Sequence, residues 1–175
     1  MITTPRLLLR RFVEEDRAPL HALWSDARVM ADLGPVKDRA ASDATIERHR
    51  GYGGQGLGFL VVRRRDDDAF VGFCGLKPGN PATPIAGELE VGWMLAVDAW
   101  GQGYAQEAAA AGIAQGWAAT RAARIVAITA ARNLRSRRLM ERLGLRHQAG
   151  EDFLYAGLED DDPLRPTVIY AIDRP

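Results

Sequence analysis

The most constraining feature of the sequence is a two-residue alternation that runs into a glycine-bearing turn and then into an alanine-rich stretch. From Glu88 to Val97, Glu88, Glu90 and Gly92 fall on one side and Leu89, Val91 and Trp93 on the other, which is the period of a strand. Trp100-Gly101-Gln102-Gly103-Tyr104-Ala105 follows, and alanine dominates from Gly103 to about Ala119, which favours a helix. A strand, a tight turn and a helix in this order set the unpaired N–H groups of a helix start beside glycines that permit close approach, a geometry able to hold phosphate oxygens. The same glycines also suit a turn that holds nothing. Their spacing matches neither a P-loop nor the full G-x-G-x-x-G of a dinucleotide fold, which weakens both of those classes.

Around this unit the pattern predicts strands and helices in mixed order. Leu7 to Phe12 reads as an opening strand and Ala18 to Trp24, with Glu15 and Asp16 before it, as a helix. A second helix is expected within Ser42 to Arg50, with Ser42 as its N-cap and Gly51, Gly53 and Gly54 as its stop. Gly58 to Arg64 and Ala69 to Leu76 flank a polar cluster at positions 65–68 and read as an antiparallel pair, while the prolines between Lys77 and Gly87 make a loop. Arg124 to Thr129 is a strand, Ser136 to Leu143 a helix ended by Gly144, Leu145 to Gln148 a short strand, and Thr167 to Ile172 the last strand. Hairpins early and crossovers later indicate a mixed α/β sheet.

At 175 residues the chain suits one domain spanning residues 1–175. Its 23 basic residues balance 23 acidic ones, which argues against a nucleic-acid partner. Cys74 is the only cysteine, no His/Cys cluster has metal-site spacing, and no apolar run suits a secretory signal or a membrane span. The expectation is a cytoplasmic protein with no metal and no membrane partner, monomeric or homodimeric. One local imbalance stands out. Between Ala130 and Arg146 six arginines face only Glu141, a net charge of plus five, which suits either phosphate attraction or a solvated helix.

The chain resembles the GCN5-related N-acetyltransferase (GNAT) superfamily, especially the ribosomal-protein alanine N-acetyltransferase branch. The likeness rests on Arg6-Leu7-Leu8-Leu9-Arg10, Val71-Gly72-Phe73-Cys74-Gly75-Leu76, Glu90-Val91-Gly92-Trp93, the Gly101 to Ala105 turn, Asn133-Leu134-Arg135-Ser136 and Glu141-Arg142-Leu143-Gly144-Leu145. It implies a mostly antiparallel, splayed sheet of about six to seven strands flanked by about four helices. The family signature Gln/Arg-x-x-Gly-x-Gly/Ala falls on Trp100, Gly103 and Ala105, with Trp100 replacing the usual polar side chain. The resemblance further implies that acetyl-CoA enters between the strand ending near Leu95 and the strand from Ile125 to Thr129. Its candidate contacts are Met94, Leu95, Ala96 and Val97, the turn residues Gly101, Gln102, Gly103, Tyr104 and Ala105, and Asn133, Arg135, Ser136 and Arg138.

Acetyl transfer to an amine needs a base for the acceptor and a proton for the leaving thiolate. Glu90 and Glu88 are the base candidates, being carboxylates at i and i+2 on one strand face just before the turn. Tyr170 and Ser136 compete as proton donor. Cys74 lies among Val71, Phe73 and Leu76 and reads as inert, which favours direct transfer in a ternary complex over an acetyl-enzyme. Thr167 stands where the resembling branch often has histidine, and the acidic stretch around Glu159 to Asp162 suits a cationic acceptor if it faces one. The implied acceptor is a primary amine, of a protein N-terminus or of a small molecule; a noncatalytic acyl-CoA-binding or regulatory module is the alternative.

Overall fold

The computed structural model describes residues 1–55 and 57–175. In chain order its elements are β1 (Ile2–Thr3), β2 (Leu7–Arg10), α1 (Arg17–Ser25), α2 (Ala27–Met30), α3 (Arg39–Gly51), β3 (Gly58–Arg64), β4 (Phe70–Pro78) and β5 (Leu89–Leu95). They continue with α4 (Tyr104–Ala119), β6 (Arg124–Ala130), α5 (Leu134–Arg142), β7 (Arg146–His147), β8 (Phe153–Leu154) and β9 (Pro166–Asp173). The strands form one sheet in the order β1-β2-β3-β4-β5-β6-β9-β7, with β8 also on β9. Among the described residues β5 and β6 are the one parallel pair.

The expected mixed α/β sheet is present, and the nine strands exceed the expected number because β1, β7 and β8 are two residues long. Elements that short carry no readable period. The same holds for α2, whose four residues are started by Asp26 accepting from Arg28 N–H at 2.8 Å. Helix α3 begins earlier than expected. Asp38 is its N-cap, accepting from Ala41 N–H at 2.8 Å, whereas Ser42 lies buried one turn inside and donates its hydroxyl to Asp38 O at 2.8 Å. Aspartate caps as well as serine does, and the chain offered both within five positions.

Two layers of helix cover the sheet. Helix α4 buries Tyr104, Ala108, Ala109, Gly112, Ile113 and Gly116, so its small side chains let it lie close on β4 and β5. Helix α5 adds Met140 to that face, where it meets Ile125, Ala127 and Tyr170. On the opposite face Leu20, Leu23 and Trp24 of α1 and Ile46 of α3 pack on Val61 and Phe73. The loop after β4 lays Ile85 over Val126 and Ile169. A buried charge pins the start of α1: Asp16 is fully buried, accepts from Arg10 at 2.6 and 2.9 Å and from Val13 N–H at 2.9 Å.

His49 of α3 is buried against Phe59, with ring centroids 4.1 Å apart, and its Nδ1 has no partner among the described residues. Burial, with the positive charges of Arg48, Lys77 and Lys37, pushes the imidazole down to about 3. Unfolded histidine titrates near ~6.5, so folding favours the neutral ring. That contribution is complete above ~pH 6.5 and drains away as pH falls toward the folded value, at up to about 1.4 kcal/mol per pH unit. Urea unfolding of His49→Phe, which keeps the stacking and removes the titration, is expected to lack this component between about pH 5 and pH 7.5; an equal slope in the variant and the parent protein would refute the assignment.

Candidate active site

Strands β5 and β6 are bridged at only two positions, Leu89 with Ile125 and Glu90 with Val126. Beyond them the strands part. Each keeps its outer neighbour: β5 pairs with β4 over seven residues and β6 pairs with β9 over seven. The gap opens into a cleft of about 520 Å³ that reaches Trp93, Met94 and Leu95 on one wall and Asn133, Ser136 and Leu139 on the other.

The turn into α4 closes the top of this cleft. Gly101 and Gly103 have φ of 74° and 79°, the left-handed region where a side chain is strained. Helix α4 starts at Tyr104, its first intrahelical bond running from Glu107 N–H to Gly103 O at 3.1 Å. The N–H groups of Tyr104, Ala105 and Gln106 therefore have no acceptor within the helix, and all three residues line the cleft. That is a cradle for an anion.

Several contacts fix the turn. Trp100 donates its indole N–H to Leu95 O at 2.9 Å, and the Arg135 guanidinium stacks on the indole with 3.9 Å to the ring centroid. Arg6 donates from Nε to Glu107 Oε2 at 2.7 Å and from Nη1 to Gln102 O at 2.9 Å. Burial works against the Glu107 carboxylate, but hydrogen bonds from Thr4 and from Arg6 outweigh it and hold the carboxyl below its ordinary range.

Of the cofactor candidates, Met94, Leu95, Gly101, Gly103, Tyr104, Ala105, Asn133, Arg135, Ser136 and Arg138 line the cleft. Ala96, Val97 and Gln102 do not: Ala96 donates its N–H to Val71 O, Val97 packs in the core below α1, and Gln102 donates its side chain to Asp98 O. Asn133 is buried and also serves as the N-cap of α5, accepting from Ser136 N–H at 3.1 Å and donating to Thr129 Oγ1 at 2.9 Å. The arginine-rich stretch divides. Arg135, Arg138 and Arg142, spaced three and four apart on one helix face, line the cleft. Arg137 instead donates to Tyr170 Oη at 3.2 Å and to Ala131 O at 2.9 Å.

The catalytic candidates are scattered. Ser136 lies on the cleft wall. Tyr170 is buried beneath α5, stacked on His147, with its hydroxyl accepting from Arg137 and donating to Glu141 at 3.1 Å. Glu88 is held by Arg124 at 2.9 Å, which also binds Glu151. Glu90 is buried at the vertex where β5 and β6 separate, on the sheet face opposite α4, and is ion-paired with Lys77. Burial raises its carboxyl above the ordinary range, with the Lys77 ammonium opposing that rise. The thiol of Cys74, wholly buried, is pushed up to about 12, which leaves it protonated and a poor nucleophile.

Three lining residues had no signal in the sequence. Val29, Asp32 and Leu33 reach the cleft from the end of α2 and the turn after it, and Asp32 pairs with Arg132 at 2.9 Å. Only the fold brings position 32 to position 132. Among the described residues no His/Cys/Asp/Glu group suits a metal ion, and no helix is long and apolar enough to cross a membrane.

The model of the acetyltransferase (GNAT) domain matches residues 6–146. The chain belongs to the GNAT acetyltransferase family. It is an acetyltransferase that uses acetyl-CoA, and the splayed strands, the free helix N-terminus and the three cleft arginines fit a long ligand carrying a pyrophosphate. An uncharacterized N-acetyltransferase of Bacillus subtilis, YnaD, is 28% identical over 174 residues, covering 91% of this chain and 98% of its own. Among solved GNAT structures, the ribosomal L7/L12 alpha-N-protein acetyltransferase RimL in complex with coenzyme A superposes with a TM-score of 0.76 at 16% identity, covering 98% of this chain and 96% of its own. A spermidine N-acetyltransferase from Vibrio cholerae in complex with CoA and spermine gives a TM-score of 0.76 at 15% identity, covering 97% and 96%.

The cradle makes a direct prediction. Placing a β-branched side chain at Gly103 forces a left-handed residue to relax, at a cost of about 1–3 kcal/mol, and turns the N–H groups away. Gly103→Val is expected to raise KM for acetyl-CoA roughly tenfold while circular dichroism stays that of the parent; an unchanged KM in steady-state kinetics would count against the cradle.

Proposed function

We propose that this GNAT enzyme acetylates a primary amine, either a protein N-terminal amino group or a small-molecule amine, by direct attack within a ternary complex. The observation that carries the reading is the parting of β5 from β6 after Glu90, with the cleft it opens running from Trp93 to the free N-terminus of α4. Acetyl-CoA supplies the activated acyl group as a thioester. The N–H groups of Tyr104, Ala105 and Gln106 hold its phosphates, with Arg135, Arg138 and Arg142 supplying positive charge along the same wall. Backbone groups of residues 91–95 on the side facing β6 have no strand partner there, and an N–H among them is available to polarise the acyl oxygen.

Glu90 takes the amine proton through water, since its carboxylate is buried behind the cleft wall rather than in it. A base must be ionised to act. Because burial raises the Glu90 carboxyl, kcat/KM rises with pH through a midpoint above the ordinary carboxylate range and falls away below it. Glu88 is less suited, since Arg124 already neutralises it. Ser136, on the α5 wall, is the donor to the leaving thiolate, while Tyr170 is sealed beneath α5 by Arg137 and Glu141. Cys74 offers no covalent route. The likeness to RimL and to the spermidine enzyme supports amine acceptors of both kinds.

The test is release of free thiol from acetyl-CoA with separate pools of N-terminal peptides, polyamines and aminoglycosides, with mass spectrometry to find the acetylated product. Acceptor-dependent release in one pool identifies the substrate class; acetyl-CoA binding without release in any pool would overturn the reading. Glu90→Gln is expected to lower kcat by about 10²–10⁴-fold and Glu88→Gln by far less, whereas equal losses would move the base away from Glu90.

A further inference from the structure

The chain contains only two lysines, Lys37 and Lys77, beside 21 arginines, and Lys77 sits against the carboxylate at the vertex of the splayed strands. Lys77 and Glu90 are directly opposite partners in the β4–β5 ladder, so their side chains rise from the same face of the sheet. The Lys77 ammonium donates to Glu90 Oε2. Both side chains are largely withdrawn from solvent, at 20% and 10% exposure. The surroundings are apolar or neutral: the next β5 residue on this face, Gly92, meets the Phe59 ring, and on Phe59 lies the neutral His49. From β6, Val126 sits opposite Glu90. Arg124 of β6, two positions before Val126, is taken up by Glu88 and Glu151, so Lys77 is the charged group bonded to this carboxylate.

An arginine here would present a planar fork that engages both carboxylate oxygens, whereas an ammonium is a point charge. In this pair the ammonium engages Oε2, which leaves Oε1 to accept a proton. Resting on the reading of Glu90 as the base, we propose that Lys77 is a positioning residue that keeps Glu90 ionised in its buried seat while leaving one oxygen available for the amine proton. The lysine does not touch the reacting atoms. Its role is to oppose the burial that pushes the carboxyl up and so disfavours the ionised form the base needs.

The decisive measurement is the titration of the Glu90 carboxyl itself, followed by NMR on protein carrying carboxyl-labelled glutamate, with the resonance assigned by its loss in Glu90→Gln. In Lys77→Met the midpoint is expected to move up by about one to three pH units, and the acid limb of kcat/KM to move with it. Lys77→Arg, which retains the charge, is expected to leave the titration near that of the parent protein. Thermal unfolding and acetyl-CoA binding report whether each variant is folded, and Lys77→Gln is the substitute should the methionine variant fail to fold. An unmoved Glu90 midpoint in a folded, uncharged variant overturns the proposal. A midpoint that moves while the acid limb stays fixed supports it and refutes instead the assignment of Glu90 as the base.

Discussion

The separation of β5 from β6 is the constraint around which the rest of this molecule is organised. Strand groups buried without partners are costly, because each lost hydrogen bond inside a protein leaves a desolvated donor or acceptor. The fold limits that cost in two ways. Each diverging strand is satisfied along its other edge, β5 by β4 and β6 by β9. The gap also remains open as a cleft of about 520 Å³, so the unpaired groups are available to solvent or ligand. A sheet fully zipped at this point would have a better ladder and no place for the substrate.

Charge is distributed to suit that opening. The chain as a whole is neutral, yet three arginines of α5 converge on the cleft and Arg137, two positions from Arg135, is turned away to hold Tyr170 and Ala131. Helical geometry performs the sorting: positions 135, 138 and 142 share a face and 137 does not. At the vertex, a buried carboxylate is paired with a lysine. The free N-terminus of α4 and the buried Glu90–Lys77 pair thus lie toward opposite ends of β5.

Much of this was legible in the sequence, and what was hidden was hidden for identifiable reasons. The alternation before Trp100 and the alanines after Gly103 located β5, the turn and α4 to within a residue or two, because strong period and strong propensity agreed. Asn133 and Ser136 were visible only through family likeness, since an asparagine that caps a helix looks the same in sequence whether or not a ligand lies beside it. The splitting of the arginines required knowing which face of α5 was buried. Three short strands and α2 were below the length at which any period can be seen. With α2 went Val29, Asp32 and Leu33, so one wall of the cleft was missing from the sequence reading altogether. The pairing of Lys77 with Glu90 depends on strand register across a loop that holds Pro81 and Pro84, and register of that kind is set by tertiary packing.

The walls of the cleft come from well-separated stretches of chain: residues 93–106 and 133–142 supply most of the lining, and residues 29–33 add to it from the region of α2. The ion pair of Asp32 with Arg132, the residue just before Asn133, ties the segment after α2 to the start of α5. Such a division makes the enzyme a cassette. A change in the short segment after α1 redraws one wall of the cleft, while the turn into α4, the Asn133 cap and the arginines of α5 stay as they are.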